Sequence, residues 1–252
     1  MRFAYVNGIK REAEPKLHGI CPVCGEEVIA RCPKEKVNHW MHKPNSECDK
    51  WWETETVWHR MWKDYFLDEL QEVVMYDNET GEKHIADVRT EHGITIEFQH
   101  SFIKEEERIS REKFYGDLIW VVDGTRLASD LEIFRFGGMH INKYNDDFAY
   151  TLYPEKVFPK NWLTSDVPVF FDFCAQNINH NLFCLMPGRV GDKAAIYITS
   201  KAKFLAQLKA GKVFDTDPKE FVKVLCEEIE KLEKLKRSNI PFRGPIRRSR
   251  RF

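Results

Sequence analysis

Two acidic residues interrupt apolar, strand-forming runs of the sequence, ten positions apart. Asp87 lies within residues 85–89 and Glu97 within residues 94–98. A turn near residues 91–93 would pair these runs as a β-hairpin, with the acids on neighbouring strands. Carboxylates that close repel each other unless they are protonated or hold a cation, and such hard oxygen ligands suit Mg²⁺ or Mn²⁺. The spacing therefore favours a divalent-cation site; the alternative is a pair of solvated surface residues.

Further polar side chains are expected near the same place. Side chains alternate along a strand, so Gln99 lies on the same face as the second acid. Upstream, Glu55, His59 and Lys63 recur at four-residue spacing and would form one ridge of a helix. An acid, an imidazole and an ammonium can thus face one site. Glu53 competes with Glu55 for this role, and either acid could simply favour a helix N-terminus.

A second helix, expected over residues 104–115, carries Arg111 and Tyr115 one turn apart. A guanidinium there could hold a phosphate bidentately while the phenol orients it. The alternative is a surface ion-pair residue and a core aromatic.

The elements that position these residues follow from the periodicity. Apolar residues recur at three- and four-residue spacing from Trp51 to about Glu72, which predicts an amphipathic helix. Its tryptophans are assigned to packing, with base stacking as a minority alternative. Strands at 73–76, 85–89 and 94–98, the second helix and a strand at 118–122 follow. This order predicts an α/β layered fold with a central sheet.

The N-terminal segment has the ligand types of a zinc site. Cys21 and Cys24 form a Cys-x2-Cys pair, and a second pair must come from Cys32, His39, His42 or Cys48. We favour His42 and Cys48. So short a segment cannot fold on apolar burial alone, so the metal would be structural. The alternative, free buried thiols, better describes Cys174, Cys184 and Cys226.

Composition limits the class of protein. The 252 residues are 42% hydrophobic and 31% charged, which excludes disorder as the main state. No apolar run could span a membrane and no signal peptide begins the chain, so we expect a cytoplasmic protein without membrane association. The divisions we predict are a zinc-binding module at 1–50, a core at 51–125, an α+β region of unassigned role at 126–236, and a tail at 237–252.

The tail is strongly basic. Eight Lys and Arg residues follow Glu233, so the net charge of −1 combines +8 after that residue with −9 before it. Cationic density of this kind suits a phosphate backbone, and its candidate contacts are Arg247, Arg248, Arg250 and Arg251. The alternative is a solvated solubility tail.

The ordered motifs together resemble the competence protein CoiA family, which belongs to the PD-(D/E)XK nuclease superfamily. The resemblance covers residues 18 to 124. It rests on Glu55-x3-His59-x3-Lys63, Ile85-Ala86-Asp87-Val88, Ile96-Glu97-Phe98-Gln99, Arg111-x3-Tyr115, and the upstream Cys-Pro-Val-Cys-Gly with His39-Trp40-Met41-His42. It implies a restriction-endonuclease-like core behind a small zinc-ribbon-like module.

The resemblance also implies residue roles. Asp87 and Glu97 would be metal ligands, and Glu55 a further ligand or water organiser. Gln99 would occupy the position where the superfamily usually has lysine, a departure that removes a positive charge near the developing phosphorane. Lys63 is a candidate to supply that charge, and His59 to assist proton transfer.

We expect from this a metal-dependent nuclease that hydrolyses DNA, double- or single-stranded, in bacterial or phage DNA processing or recombination. Its cofactors would be catalytic Mg²⁺ or Mn²⁺ and structural Zn²⁺. A rival hypothesis is a non-cleaving DNA-binding recombination mediator on the same fold, which the missing lysine favours. A third is an RNA-directed or zinc-only regulatory module. The sequence leaves open whether the chain forms a homo-oligomer.

Overall fold

The computed structural model describes residues 1–43, 48, 51, 55–173, 178 and 180–238, which form a mixed α/β structure with two β-sheets. The smaller sheet is N-terminal and antiparallel, with strand order β2-β1-β3-β4-β5. Its strands are β1 (Phe3–Val6), β2 (Ile9–Glu12), β3 (His18–Ile20), β4 (Glu27–Arg31) and β5 (His39–His42).

The small sheet has its own apolar core around Trp40. This side chain is buried, and its indole Nε1 donates to the carbonyl oxygen of Arg11 at 3.0 Å. Gly19 on β3 faces it: a Cβ there would lie 3.1 Å from the Cβ of Ala4 and 3.2 Å from the Trp40 ring. Glycine therefore allows the strands to pack this closely against the tryptophan.

The larger sheet contains nine strands and is accompanied by five α-helices in the described part of the chain. The elements are α1 (Val57–Lys63), β6 (Gln71–Tyr76), β7 (Lys83–Arg89), β8 (Thr95–Gln99), α2 (Glu105–Tyr115), β9 (Leu118–Asp123), α3 (Ala128–Gly137), β10 (Ile141–Lys143), β11 (Phe148–Thr151), β12 (Val169–Asp172), β13 (Asn181–Leu185), β14 (Ala194–Ser200), α4 (Lys201–Lys209) and α5 (Pro218–Ser238).

The strand order is β10-β11-β14-β13-β12-β9-β8-β7-β6. Neighbours are antiparallel, except that β9 is parallel to both β8 and β12. The parallel step from β8 to β9 needs a crossover, which α2 provides.

Helices cover both faces of this sheet, because the buried strands carry apolar side chains on both sides. On β9, Ile119 and Val121 pack in the cluster that contains α1, α4 and α5 residues. Leu118, Trp120 and Val122 alternate with them and pack on the other side with residues of α2 and α3. The acids of the predicted site lie in the β7–β8 part of this layered core.

The predicted succession of a helix, three strands, a helix and a strand is confirmed as α1-β6-β7-β8-α2-β9. The predicted helix from 51 to 72 is wrong in extent. Thr56 caps α1, which ends at Lys63, and the chain then forms a 3₁₀ turn at Asp68–Leu70 before Gln71 begins β6. Aromatic side chains in the turn after α1 are also partly buried, and their spacing continues that of the helix. Apolar spacing therefore overestimated the length of the helix.

The region after residue 125 joins the same sheet. β12 pairs with β9, and β13, β14, β11 and β10 follow outward. Its helices α3, α4 and α5 and its strands β10 to β14 agree with the predicted α+β content, whereas the placement of these strands in the same sheet as β9 was not predicted. The basic tail from residue 239 lies outside the described residues, as do Arg247, Arg248, Arg250 and Arg251. In the described chain, no helix combines the length and apolarity needed to cross a bilayer.

A buried ion pair within this C-terminal region is hydrogen-bonded to Trp62 of α1. The Lys201 ammonium lies 3.0 Å from Asp172 Oδ2, and the Trp62 indole donates to the same oxygen at 2.9 Å. Lys201 and Asp172 are both fully buried. Removing one partner of such a pair leaves an uncompensated buried charge.

We expect Lys201→Ala to lower the free energy of unfolding by about 3–5 kcal/mol in urea denaturation, because Asp172 loses its counter-charge. Lys203→Ala is the matched control, since Lys203 pairs with Asp147 at the surface, where such pairs contribute about 0–1 kcal/mol. Equal losses in the two variants would contradict a structural role for the buried pair.

Candidate functional site

The β7–β8 ladder stops where the two acids begin. Val88 pairs with Ile96 and Arg89 with Thr95. Beyond them, Glu97 Oε1 accepts from the backbone N–H of Asp87 at 3.1 Å, and Asp87 Oδ2 accepts from the N–H of Phe98 at 2.9 Å. Each carboxylate thus binds the backbone of the other strand. The hairpin places the two acids side by side, as their spacing predicts.

The turn of this hairpin also matches the sequence. The Thr90 N–H donates to the carbonyl of Ile94 at 2.9 Å, and Gly93 has a φ of +86°. Glycine adopts this left-handed conformation without steric cost. The turn therefore sets the register that brings the acids together.

The ammonium group of Lys63 is surrounded by three carboxylates. Its ammonium is 2.8 Å from Asp87 Oδ1, 3.3 Å from Glu72 Oε1 and 3.5 Å from Glu55 Oε1. Burial disfavours the charge of the ammonium, but the three carboxylates outweigh this effect and raise the pKa of Lys63 above its usual value. α1 therefore contributes a stable positive charge to the site.

Glu72 is a member of the site that sequence reasoning missed. It has a φ of +48°, and its carboxylate accepts from the backbone N–H groups of Arg2 at 2.6 Å and Phe3 at 2.9 Å. Burial opposes its ionisation, yet the charge of Lys63 and these amides lower its pKa to about 2. Strained backbone of this kind is often found at functional sites. An acid at the start of a strand gave no sequence signal by itself.

On the opposite side, Arg111 of α2 holds Glu97. Its Nη1 lies 3.0 Å from Glu97 Oε2, and its Nη2 donates to the carbonyl of Trp51 at 2.9 Å and also binds Glu107. The guanidinium is buried and engaged by protein groups. Contact between Arg111 and a substrate phosphate stays a prediction.

The environments of the two acids separate their pKa values. Burial would raise the pKa of Asp87, but Lys63 and the hydrogen bond from Phe98 hold it below its usual range. Burial raises the pKa of Glu97 to about 8, and the charge of Asp87 adds to the rise despite Arg111. The surroundings therefore favour the protonated form of Glu97 and the ionised form of Asp87.

The other predicted residues divide into those that line the pocket and those that do not. Glu55 and His59 line it with Lys63, Asp87 and Glu97. Glu55 precedes α1 rather than lying on it. Gln99 is buried beyond the pocket, where its Nε2 donates to the carbonyl of Ser101 at 3.1 Å. Tyr115 donates to the carbonyl of Ile85 at 3.1 Å, so it joins α2 to β7.

His59 has a structural contact as well as a place in the pocket. Its backbone N–H donates to Thr56 Oγ1 at 3.4 Å, and the backbone N–H of Thr56 donates to His59 Nδ1 at 3.3 Å. Together these contacts form a capping box, which fixes the start of α1. The competing residue Glu53 lies outside the described residues.

The donor types of the pocket fit a hard divalent cation, but its oxygens are not gathered as a metal cage. Among the described residues, Glu55 Oε1 is buried without a hydrogen-bond partner, with the Lys63 ammonium 3.5 Å away, and carboxylate oxygens suit Mg²⁺ or Mn²⁺. Within the described ranges, however, the group of side chains placed to hold a metal is a Cys/His group, whose ligand atoms lie within 4.8 Å of one another. Instead, Lys63 forms an ion pair with Asp87, and Arg111 forms one with Glu97.

That Cys/His group consists of Cys21, Cys24, His42 and Cys48, the four ligands favoured from the sequence. Cys21 Sγ lies 3.6 Å from Cys48 Sγ, and Cys24 Sγ lies 3.2 Å from His42 Nε2. Three sulfurs and one imidazole are a donor set for tetrahedral Zn²⁺. The group could therefore hold a structural metal such as zinc.

The β3–β4 hairpin and β5 build this group. The N–H of Gly25 donates to the carbonyl of Cys21 at 3.0 Å, and Gly25 has a φ of +74°. This tight turn brings Cys24 back toward Cys21. The other two ligands considered from the sequence, Cys32 and His39, contact backbone carbonyls outside this group. His39 Nδ1 lies 3.0 Å from the carbonyl oxygen of Val37, and Cys32 Sγ lies 3.7 Å from that of Ala13.

Comparison with protein-family models, curated proteins and solved structures gives no significant match. The resemblance to the CoiA family therefore rests on the sequence motifs alone.

We expect purified protein to contain about one zinc per chain, and Cys24→Ser and Cys48→Ser to lose most of it, because each removes one of four ligands. Elemental analysis after gel filtration measures this. Cys32→Ser is the matched control, since Cys32 lies outside the group, and it should keep the metal. Unchanged zinc in Cys24→Ser would exclude this ligand set.

The raised pKa of Glu97 predicts a pH-dependent stability. A group whose pKa is higher in the folded state contributes its full stability below the unfolded pKa, near 4.5, and loses it as pH rises toward about 8. Asp87, with a lowered pKa, loses its contribution only in more acidic solution. Without added Mg²⁺ or Mn²⁺, wild type should therefore lose stability from pH 5 to 8 relative to Glu97→Gln, by at most about 1.4 kcal/mol per pH unit.

Urea denaturation at each pH measures this difference. Glu91→Gln, on the exposed turn of the same hairpin, should run parallel to wild type. Parallel curves for wild type and Glu97→Gln would show that Glu97 has an ordinary pKa.

Proposed function

We propose that this protein is a metal-dependent nuclease that hydrolyses phosphodiester bonds of DNA, with a core of the PD-(D/E)XK type. The observation that carries the proposal is the mutual contact of Asp87 and Glu97 across β7 and β8, in a pocket that also contains Glu55 and Lys63. The order α1-β6-β7-β8-α2-β9, with β8 parallel to β9, supports it. The CoiA-like motif residues His59, Lys63, Asp87, Glu97, Gln99, Arg111 and Tyr115 lie on these same elements.

Asp87 and Glu97 would hold the cation, with Glu55 as a further ligand or water organiser. A bound Mg²⁺ or Mn²⁺ would neutralise non-bridging phosphate oxygens and lower the pKa of a coordinated water. A cation would compete with the present partners of the acids, since Lys63 contacts Asp87 and Arg111 contacts Glu97. The carboxylate of Asp87 would bind it in its ionised form, and Glu97 would have to be ionised to bind it as well.

Lys63 supplies the positive charge that Gln99 cannot. The resemblance assigns Gln99 to the position usually held by lysine, and its amide is hydrogen-bonded to Ser101. The Lys63 ammonium reaches Asp87 from α1 instead. In this proposal, Lys63 stabilises the developing charge on the attacked phosphate.

The same ion pairs favour the second candidate, a non-cleaving DNA-binding recombination mediator. If Lys63 and Arg111 stay paired with Asp87 and Glu97 when Mg²⁺ or Mn²⁺ is present, the charges of the acids are balanced without a metal. DNA would then be bound and not cut. The two functions differ in one measurable respect, cleavage that depends on a divalent ion.

The setting we propose is the reducing interior of a bacterial cell or a phage-infected cell, where DNA is processed or recombined. The described cysteines are all free of disulfides, which suits such a compartment. The basic tail would add sequence-independent contacts to phosphates.

We expect wild type to cleave linear, circular or single-stranded DNA with Mg²⁺ or Mn²⁺ and not with EDTA. Asp87→Asn and Glu97→Gln should each reduce the rate at least ~100-fold, because each removes an anionic ligand. Lys63→Met should lower it as well while binding persists. Gel electrophoresis of the products measures the rates.

Glu91→Gln is the matched control, because it changes an exposed acid of the same hairpin. Cleavage that survives both Asp87→Asn and Glu97→Gln would discard the site. DNA binding without cutting under every metal condition would favour the mediator.

A further inference from the structure

A second cavity, of about 200 Å³, lies at the carboxyl ends of the parallel strands β8, β9 and β12. His100 and Ser101 follow β8, Gly124 follows β9 and Phe173 follows β12, and all four line it. Ligands of open α/β sheets bind in crevices outside the carboxyl ends of strands. The position therefore suits a binding site that the nuclease chemistry does not use directly.

One wall of the cavity is aromatic. Phe173 stacks on Phe134 with ring centroids 4.0 Å apart, and Phe171 and Trp162 continue the lining. A Cβ at Gly124 would collide with the Phe173 ring, so glycine allows this ring to pack where it does. Phe102, with 66% of its surface exposed, lies at the cavity as well. Aromatic faces of this kind stack with nucleic-acid bases regardless of sequence.

The cavity also contains polar groups that the protein leaves unpaired. The half-buried Arg126 has no ion pair or hydrogen bond within the part of the chain that the structure describes, so its donors are available for a phosphate. Asn161 donates weakly to the carbonyl of Ile103 at 3.4 Å, and its side-chain oxygen has no partner among those residues. Asp123, in contrast, is satisfied by His100 at 2.8 Å and by Thr125.

The cavity is next to the acid pocket. His59 lines the acid pocket and His100 lines the cavity, and the centroids of their rings are 6.0 Å apart. A DNA strand whose phosphate lies at Asp87 and Glu97 would therefore bring a neighbouring nucleotide to the cavity.

We propose that this cavity binds one unstacked nucleotide of the substrate strand, with its base against the aromatic wall, its polar edge at Asn161 and its phosphate at Arg126. The inference rests on the proposed function, whose substrate class it narrows. A cavity of about 200 Å³ is smaller than the roughly 300–1,000 Å³ of sites for drug-sized ligands, so it accommodates the base of one nucleotide and leaves the sugar and phosphate at its edge. Because the base must leave its stack, the protein prefers single-stranded or frayed DNA to intact duplex.

Binding of a single-stranded oligonucleotide that contains 2-aminopurine tests this, without added Mg²⁺ or Mn²⁺ so that no cleavage occurs and the zinc is kept. Wild type should change the fluorescence of the probe and bind it more tightly than the same sequence as a duplex. Arg126→Ala and Asn161→Ala should weaken binding about tenfold, in line with the loss of a charged and a polar contact. Arg189→Ala, which changes an exposed arginine away from the cavity, is the matched control.

Two results would overturn the proposal. One is binding by Arg126→Ala and Asn161→Ala that equals wild type when thermal unfolding shows both variants to be folded. The other is competition by inorganic phosphate as effective as that by deoxyadenosine monophosphate, since that identifies an anion site without base recognition.

The outcome is separable from that of the proposed nuclease. If Asp87→Asn abolishes cleavage while Arg126→Ala binds like wild type, the cavity proposal fails and the nuclease stands. If binding depends on Arg126 while wild type cuts no DNA with any metal, the nuclease proposal fails and the nucleotide site stands.

Discussion

Charge compensation between β7 and β8 is the constraint on which the candidate site depends. Asp87 and Glu97 lie where the ladder between the strands ends, and each accepts a backbone N–H from the other strand. Buried carboxylates at this separation are unfavourable without positive partners. Lys63 from one face of the sheet and Arg111 from the other provide them. Both flanking helices are therefore joined electrostatically to the point where the strands separate.

The N-terminal sheet is joined to the same point. Glu72 binds the backbone of β1 through Arg2 and Phe3 and also contacts Lys63. Lys83 of β7 donates to the carbonyl of Val23, within the turn that carries the Cys/His group. A metal that orders this group would thus help to hold β1 against the acid pocket. The Cys/His group and the acid pocket are therefore joined by contacts through β1 and β7 rather than belonging to separate modules.

Much of the site was accessible from local pattern. The β-hairpin with Asp87 and Glu97 follows from alternation and a glycine turn, and the Cys/His group follows from ligand type and spacing. Extending α1 to residue 72 was wrong, because Phe66 repeats the spacing of the helical tryptophans although it lies in a turn. Gln99 was expected in the pocket because it shares a strand face with Glu97, but its side chain binds Ser101. Periodicity predicts on which face of a strand or helix a side chain lies. It does not predict which group that side chain contacts.

The sequence by itself determined the order of elements around the acids, the hairpin that pairs them and the four candidate zinc ligands, because each depends on residues close in the chain or on strong ligand chemistry. Only the tertiary structure placed Glu72 beside Lys63, engaged Arg111 with Glu97, and joined the region after residue 125 to the sheet through β9 and β12. These contacts link residues whose separation in the chain carries no periodic signal. They arise from packing the whole sheet and from the need to neutralise buried charge.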